Sequence, residues 1–164
     1  RRIPYYLERT RNANMLTIKR TNSSDPHFIE MVKQLDQELA IIDGEDHAFY
    51  SQYNKIDHIQ HAIVAYKVGQ AVGCSALKAL DKSTIEVKRM FVHSSGRNMG
   101  TGTQMLSALE KWGLELGYTS CVLETGKRQE DAIALYTKSG YSIIPNYGQY
   151  TGVENSVCFN KKLK

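Results

Sequence analysis

Between Thr84 and Gly102 the chain reads TIEVKRMFVHSSGRNMGTG, an order of residues that few folds accommodate. Ile85, Val87, Met90, Phe91 and Val92 are apolar enough for a buried strand. A short turn follows, and Arg97, Gly100 and Gly102 stand where a helix should begin. The N–H groups at a helix start have no partner within the helix, and the helix dipole adds partial positive charge there. Glycines allow a ligand to approach that backbone closely. Strand, glycine-spaced loop and helix together make a cradle for a phosphate or pyrophosphate. A dinucleotide fold would want a third glycine and an acidic residue about 20 positions on, and a P-loop would want Gly-Lys-(Ser/Thr). The sequence has neither.

The flanking chain supplies strands before this stretch and alternating helices and strands after it. Met15–Arg20 alternates as a first strand. Asp25 caps and Pro26 opens a helix carrying Phe28, Val32, Leu35 and Leu39, ending near Asp43-Gly44. The polar segment from Gly44 to His61 accommodates a short helix over Asp46–Tyr53. AIVAYKVGQAVGCSALKAL reads as a hairpin turning at Val68-Gly69. With Thr84–Val92 it makes an antiparallel meander. Met105, Leu109, Trp112 and Leu116 form one apolar stripe on the helix after the glycine loop, stopped by Gly117. Thr119–Thr125 is the next strand, parallel to Thr84–Val92 because a helix crosses over between them. A helix over Gln129–Ser139, a strand over Tyr141–Ile144, the loop NYGQYTG and a last strand over Asn155–Leu163 complete the chain.

Charge narrows the function. The net charge is +4, but residues 1–14 hold four arginines against one glutamate, so the remaining 150 residues carry only +1. A body so near neutral argues against nucleic-acid binding through a basic face. Residues 1–14 stand apart as a basic leader, either native or an expression remnant ahead of Met15; residues 15–164 read as one domain. No apolar run approaches the roughly 18 residues of a membrane span. Cys74, Cys121 and Cys158 are widely spaced, in apolar runs and without a CxxC pair. They read as buried thiols of a reduced, cytoplasmic chain with no disulfide framework and no metal site.

Two signatures give the chain a family likeness. Arg97-Asn98-Met99-Gly100-Thr101-Gly102 matches (Gln/Arg)-x-x-Gly-x-(Gly/Ala) in full. About 30 residues on, Ala132-Ile133-Ala134-Leu135-Tyr136-Thr137-Lys138-Ser139-Gly140-Tyr141 matches Ala-x-x-Leu-Tyr-x-x-x-Gly-(Phe/Tyr). The sequence thus resembles the GNAT family, the Gcn5-related N-acetyltransferases, specifically over residues 84–145 and in element order from 15 to 164. The resemblance implies an α/β fold with a mixed central sheet of six or seven strands. That sheet would be mostly antiparallel, with one splayed parallel pair, and flanked by about four helices. The implied reaction is direct transfer of an acetyl group from acetyl-CoA to a primary amine in a ternary complex. The rival is a non-catalytic acyl-CoA-binding module of the same fold.

The resemblance also implies roles for residues. Backbone amides of Asn98, Met99, Gly100, Thr101, Gly102 and Thr103 would bind the CoA pyrophosphate, with Arg97 adding charge. Met90, Phe91 and Val92 would pair with the pantetheine like an added strand. The Met90 amide would donate to the thioester carbonyl. Gln129 stands where the family often has Asn, as an accessory cofactor contact. Tyr136 is the implied general acid, or else a helix aromatic packed on the sheet. Glu86 is the implied base, or else the partner of Lys88 or Arg89 in an ion pair. Glu124 and ordered water are the alternatives for the base. Asp43, Glu45, His47, Tyr147 and Tyr150 come from regions that border the acceptor, which would be a small amine, an amino acid or a peptide or protein amine. The last strands and the NYGQYTG loop could pair two copies of the chain.

Overall fold

Seven strands form one sheet in the order β1-β2-β3-β4-β5-β7-β6. The computed structural model describes residues 15–53, 55–56, 58–97 and 99–164; the basic leader and Asn98 fall outside them. The strands are β1 (Leu16–Thr21), β2 (His61–Lys67), β3 (Gln70–Ala79), β4 (Thr84–Val92), β5 (Ser120–Gly126), β6 (Ser142–Ile144) and β7 (Ser156–Lys162). Among the described residues four helices flank them: α1 (Pro26–Asp43), α2 (His47–Ser51), α3 (Thr101–Glu115) and α4 (Glu130–Lys138). Every neighbouring pair is antiparallel except β4 and β5. This is the mixed sheet with one parallel pair that the sequence implied. No helix among the described residues is long and apolar enough to cross a membrane.

The sheet is covered on both faces, which explains the unbroken apolar run in β2. Ile63 and Ala65 join Met105, Leu106, Leu109 and Phe159 in one core, beneath α3 and α4. Ala62 and Val64 join Phe28, Met31, Val32 and Leu35 in a second core, beneath α1. A strand buried on both sides needs no polar alternation. Helix α1 begins as its sequence dictates. The Asp25 carboxylate accepts from the amides of His27 and Phe28 at 2.8 and 3.4 Å, and Pro26 takes the first turn. Beyond α1, the expected single helix over Asp46–Tyr53 divides into a 3-10 turn at Gly44–Asp46 and the five residues of α2.

Strand β4 is irregular on both of its edges. Its parallel ladder with β5 runs only from Thr84↔Ser120 to Glu86↔Val122, so the strands part beyond Glu86. Its antiparallel ladder with β3 passes from Cys74↔Phe91 to Ala76↔Lys88, which leaves one extra residue on β4. Arg89 sits in this bulge with φ +56°. A non-glycine residue in that region costs free energy and persists only where its surroundings hold it. Here the buried Arg89 side chain pairs with Asp36 of α1. The bulge shifts the phase of the strand: Ile85 and Val87 face the α3 core, as do Met90 and Val92, while Phe91 faces α1.

Candidate active site

The gap between the parting strands is a cleft. Glu86, Lys88, Arg89 and Met90 line it from β4, and Glu124, Thr125 and Gly126 from β5. Helix α1 contributes Leu35, Leu39 and Asp43, helix α4 contributes Tyr136, and the 3-10 turn over Gly148–Tyr150 contributes Tyr150. The parallel pair separates just where these side chains converge. Residues 87–92 of β4 and 123–126 of β5 make no ladder with each other, so a ligand backbone can enter between them as an added strand.

The start of α3 follows β4 through the 3-10 turn Ser94–Gly96. Gly100 takes a left-handed φ of +75° as its N-cap residue, which glycine adopts without strain. The Gln104 amide is the first to donate within the helix, to the Gly100 carbonyl at 3.1 Å. The amides of Thr101, Gly102 and Thr103 therefore precede the helical ladder. A Cβ at Gly102 would stand 2.9 Å from Leu135 of α4, so this glycine is also what brings the two helices together. Met99 is exposed. Arg97 is already committed: its Nε donates to the Val92 carbonyl at 2.8 Å, and its Nη2 donates to both carboxylate oxygens of Glu38 at 2.8 Å. The expected charge toward a pyrophosphate is thus shared with α1. Gln129 lines the cleft and makes no side-chain capping bond at the start of α4.

The candidate acid–base groups line this cleft. Tyr136 is 5% exposed and packs against Tyr141 and Phe159, with ring centroids 6.1 and 5.8 Å away. It is therefore both core aromatic and cleft residue. Burial pushes its phenol well above the ordinary value, with the Glu124 charge adding to the effect. Glu86, 4% exposed, is engaged by its own fold. Tyr147 donates its hydroxyl to Oε2 at 2.6 Å, and Lys88 lies 3.5 Å from Oε1. Lys88 in turn donates to the Tyr150 hydroxyl at 3.2 Å. Arg89, the other expected partner, goes to Asp36 instead. Glu124 lies across the cleft on β5. Burial raises its carboxyl to about 7, against a smaller opposing effect from Lys88.

The acceptor-side candidates separate. Asp43 and Tyr150 line the cleft. Tyr147 reaches it only through Glu86. Glu45 is exposed, and neither it nor His47 lines the cleft. Sequence reasoning overlooked Tyr50, whose hydroxyl meets Ser156 Oγ at 2.9 Å beside the cleft. It also overlooked Arg128, whose Nη1 donates to the carbonyls of Ile42 and Asp43 at 3.0 and 2.9 Å, satisfying the last carbonyls of α1 before its Gly44 cap. No local signal marks either one. The phase slip between Ile85/Val87 and Met90/Val92 is a local signal of the bulge, and it places Arg89 in the cleft wall.

The chain's relatives agree with this geometry. The profile of the acetyltransferase (GNAT) family matches residues 29–141. The IAA acetyltransferase of Azospirillum brasilense is 30% identical over 151 residues, spanning 90% of this chain and 98% of that protein. A Klebsiella pneumoniae structure, provisionally described as an acyl-CoA N-acyltransferase, superposes with a TM-score of 0.77 at 27% identity, covering 92% of this chain and 99% of that one. At 19% identity, where likeness speaks for the fold alone, a GNAT acetyltransferase from Elizabethkingia anophelis with acetyl-CoA bound gives a TM-score of 0.63, covering 90% and 98% of the two chains. Splayed parallel strands, a glycine-capped helix beside them and the match across most of the chain lead to one assignment: the chain belongs to the acetyltransferase (GNAT) family.

Proposed function

We propose that this chain is an N-acetyltransferase that uses acetyl-CoA and acts on a primary amine by direct attack in a ternary complex. The observation that carries the reading is that Glu124 and Tyr136 both line the cleft between β4 and β5. One is a carboxyl titrating near neutrality, and the other a phenol that keeps its proton.

Acetyl-CoA supplies an activated acyl carbon in a thioester. The chain's residues handle position and protons. The amides of Thr101–Thr103 suit the pyrophosphate, and the β4 edge from Met90 to Val92 suits the pantetheine, with the Met90 amide toward the thioester carbonyl. An alkylammonium has a pKa of about 10.4 and must lose a proton before its nitrogen can attack. Glu124 takes that proton and releases it to solvent. As the N–C bond forms and the C–S bond breaks, Tyr136 gives its proton to the sulfur and regains one from the acylated nitrogen. The products are the amide, free CoA thiol and one released proton.

This reading moves the base from Glu86 to Glu124. Glu86 already accepts from Tyr147 and faces Lys88; it positions Lys88 and the Tyr147/Tyr150 loop. A base works best with a pKa near the working pH, and Glu124 meets that condition. The test is thiol release from acetyl-CoA with a panel of amines. Tyr136→Phe should keep the fold, because its ring packs and its hydroxyl has no hydrogen-bond partner among the described residues. It should lower kcat by about 10²-fold or more, the usual range for a lost proton donor. Unchanged turnover would remove Tyr136 from the reaction.

A further inference from the structure

The carboxylates of the cleft are not equivalent once their partners are assigned. Glu86 has Lys88 and the Tyr147 hydroxyl. Lys88 has Glu86 and the Tyr150 hydroxyl. Arg89 has Asp36, which lies outside the cleft. These internal pairs leave two acids facing the opening, Glu124 from β5 and Asp43 from the end of α1.

Asp43 is the unexpected one. It is 3% exposed, yet its carboxylate accepts no hydrogen bond and joins no ion pair among the described residues. It occupies the N-cap position of the 3-10 turn without capping it. Arg128, beside it, spends its donors on the carbonyls of Ile42 and Asp43 and on the carboxylate of Asp46 at 3.0 Å. His47 stands one helical turn beyond. Burial raises the Asp43 carboxyl, eased only at a distance by the charges of His47 and Arg128; burying an acid without a direct partner is costly, and α1 ends at Gly44 without any help from the Asp43 side chain. A carboxylate held in that way has a ligand to meet.

Charge balance identifies the ligand's class, given the reading that Glu124 takes the proton of the attacking ammonium. That transfer neutralises Glu124 and the reacting nitrogen together and leaves Asp43 with no direct partner, since Arg128 nearby is paired with Asp46. We propose that the acceptor is a diamine-type molecule with two positive charges, its second ammonium held by Asp43 while the first is acetylated. Carboxylate-bearing acceptors meet the same Asp43 as a repulsive charge, and simple monoamines leave it bare.

The test uses 1,4-diaminobutane, butylamine and 5-aminopentanoate, which share an amine on a short chain and end in a cation, a methyl group and an anion. Binding of each to the full chain saturated with CoA is measured by calorimetry at neutral pH. The expected order is diamine, then monoamine, then amino acid. The diamine should bind about tenfold or more tightly than butylamine, the effect of one charge-assisted contact out of water. Asp43→Asn should bring the first two within about twofold, since the shared contacts remain. Equal binding of butylamine and the diamine by the unaltered chain overturns the inference, and so does a preference that survives in Asp43→Asn. The ligand series on the unaltered chain decides the matter even where the variant fails to fold. Thiol release is followed in parallel. A diamine that binds selectively without turnover overturns the acid–base assignment to Glu124 and Tyr136 and supports the Asp43 site.

Discussion

In the proposed reaction, Glu124 ties chemistry to stability in a single side chain. Burial raises its carboxyl from an ordinary 4.5 to about 7, so the fold favours the protonated form. Its contribution to stability is complete below about pH 4.5 and is lost as pH rises through 7. Glu124→Gln keeps the shape and cannot ionise. Chemical unfolding across that window should therefore show the variant gaining on the unaltered chain by up to about 3 kcal/mol at the alkaline end. In the same variant kcat/KM should fall by about 10²-fold or more and lose its rise near pH 7. A variant that gains stability with pH but keeps its activity would leave Glu124 a merely buried acid. The three cysteines behave as their apolar surroundings in the sequence suggested. All are buried and free, and burial pushes the thiols of Cys74 and Cys121 up to about 12 and about 11.

Packing between elements leaves no room for added atoms where α3 lies on β3. Helix α3 lies on β3 so closely that a Cβ at Gly73 would stand 2.9 Å from both Met105 Sδ and the Phe91 carbonyl oxygen. A side-chain end could rotate away, but a backbone carbonyl of β4 cannot. Gly73→Ala should cost about 1–3 kcal/mol, the usual range for overpacking a tight core, read as a lowered denaturation midpoint. At Gly69 nothing lies within 4 Å of a Cβ, and the cost of the change comes instead from its left-handed φ of +74°. Element types were legible from apolar spacing and turn residues: the capped α1, the Val68-Gly69 hairpin and the stripe of α3 all form as their sequences dictate. The bulge at Arg89 left only the phase slip between Ile85/Val87 and Met90/Val92 as its trace, because what holds it is an ion pair to Asp36 on a distant helix. A window along one strand does not contain that partner.

Across the whole molecule, ligand binding and folding should be coupled. The cleft draws its walls from α1, β4, β5, α4 and the turn before β7, and these elements meet only in the folded chain. Acetyl-CoA at 100 times its dissociation constant should add about 2.7 kcal/mol to the unfolding free energy. Thermal melts with and without the ligand read this directly, and melts that coincide at saturating concentration would contradict the proposed cofactor site. The Arg97–Glu38 pair links α1 to the glycine loop, so the shift should extend to α1 and be visible as slower amide exchange there.

The sequence alone determined the order of elements, the parallel crossover between β4 and β5, the glycine-capped start of α3 and the family, because each is written in neighbouring residues and their spacing. It also singled out Tyr136 as the acid, Glu86 ahead of Glu124 as the base, and Asp43 for the acceptor side. Only the tertiary structure decided which of the carboxylates is already paired, which titrates near neutrality and which is buried without a partner. Those properties depend on desolvation and on atoms within hydrogen-bonding reach. The chain brings such atoms together from positions as far apart as Glu86 and Tyr147.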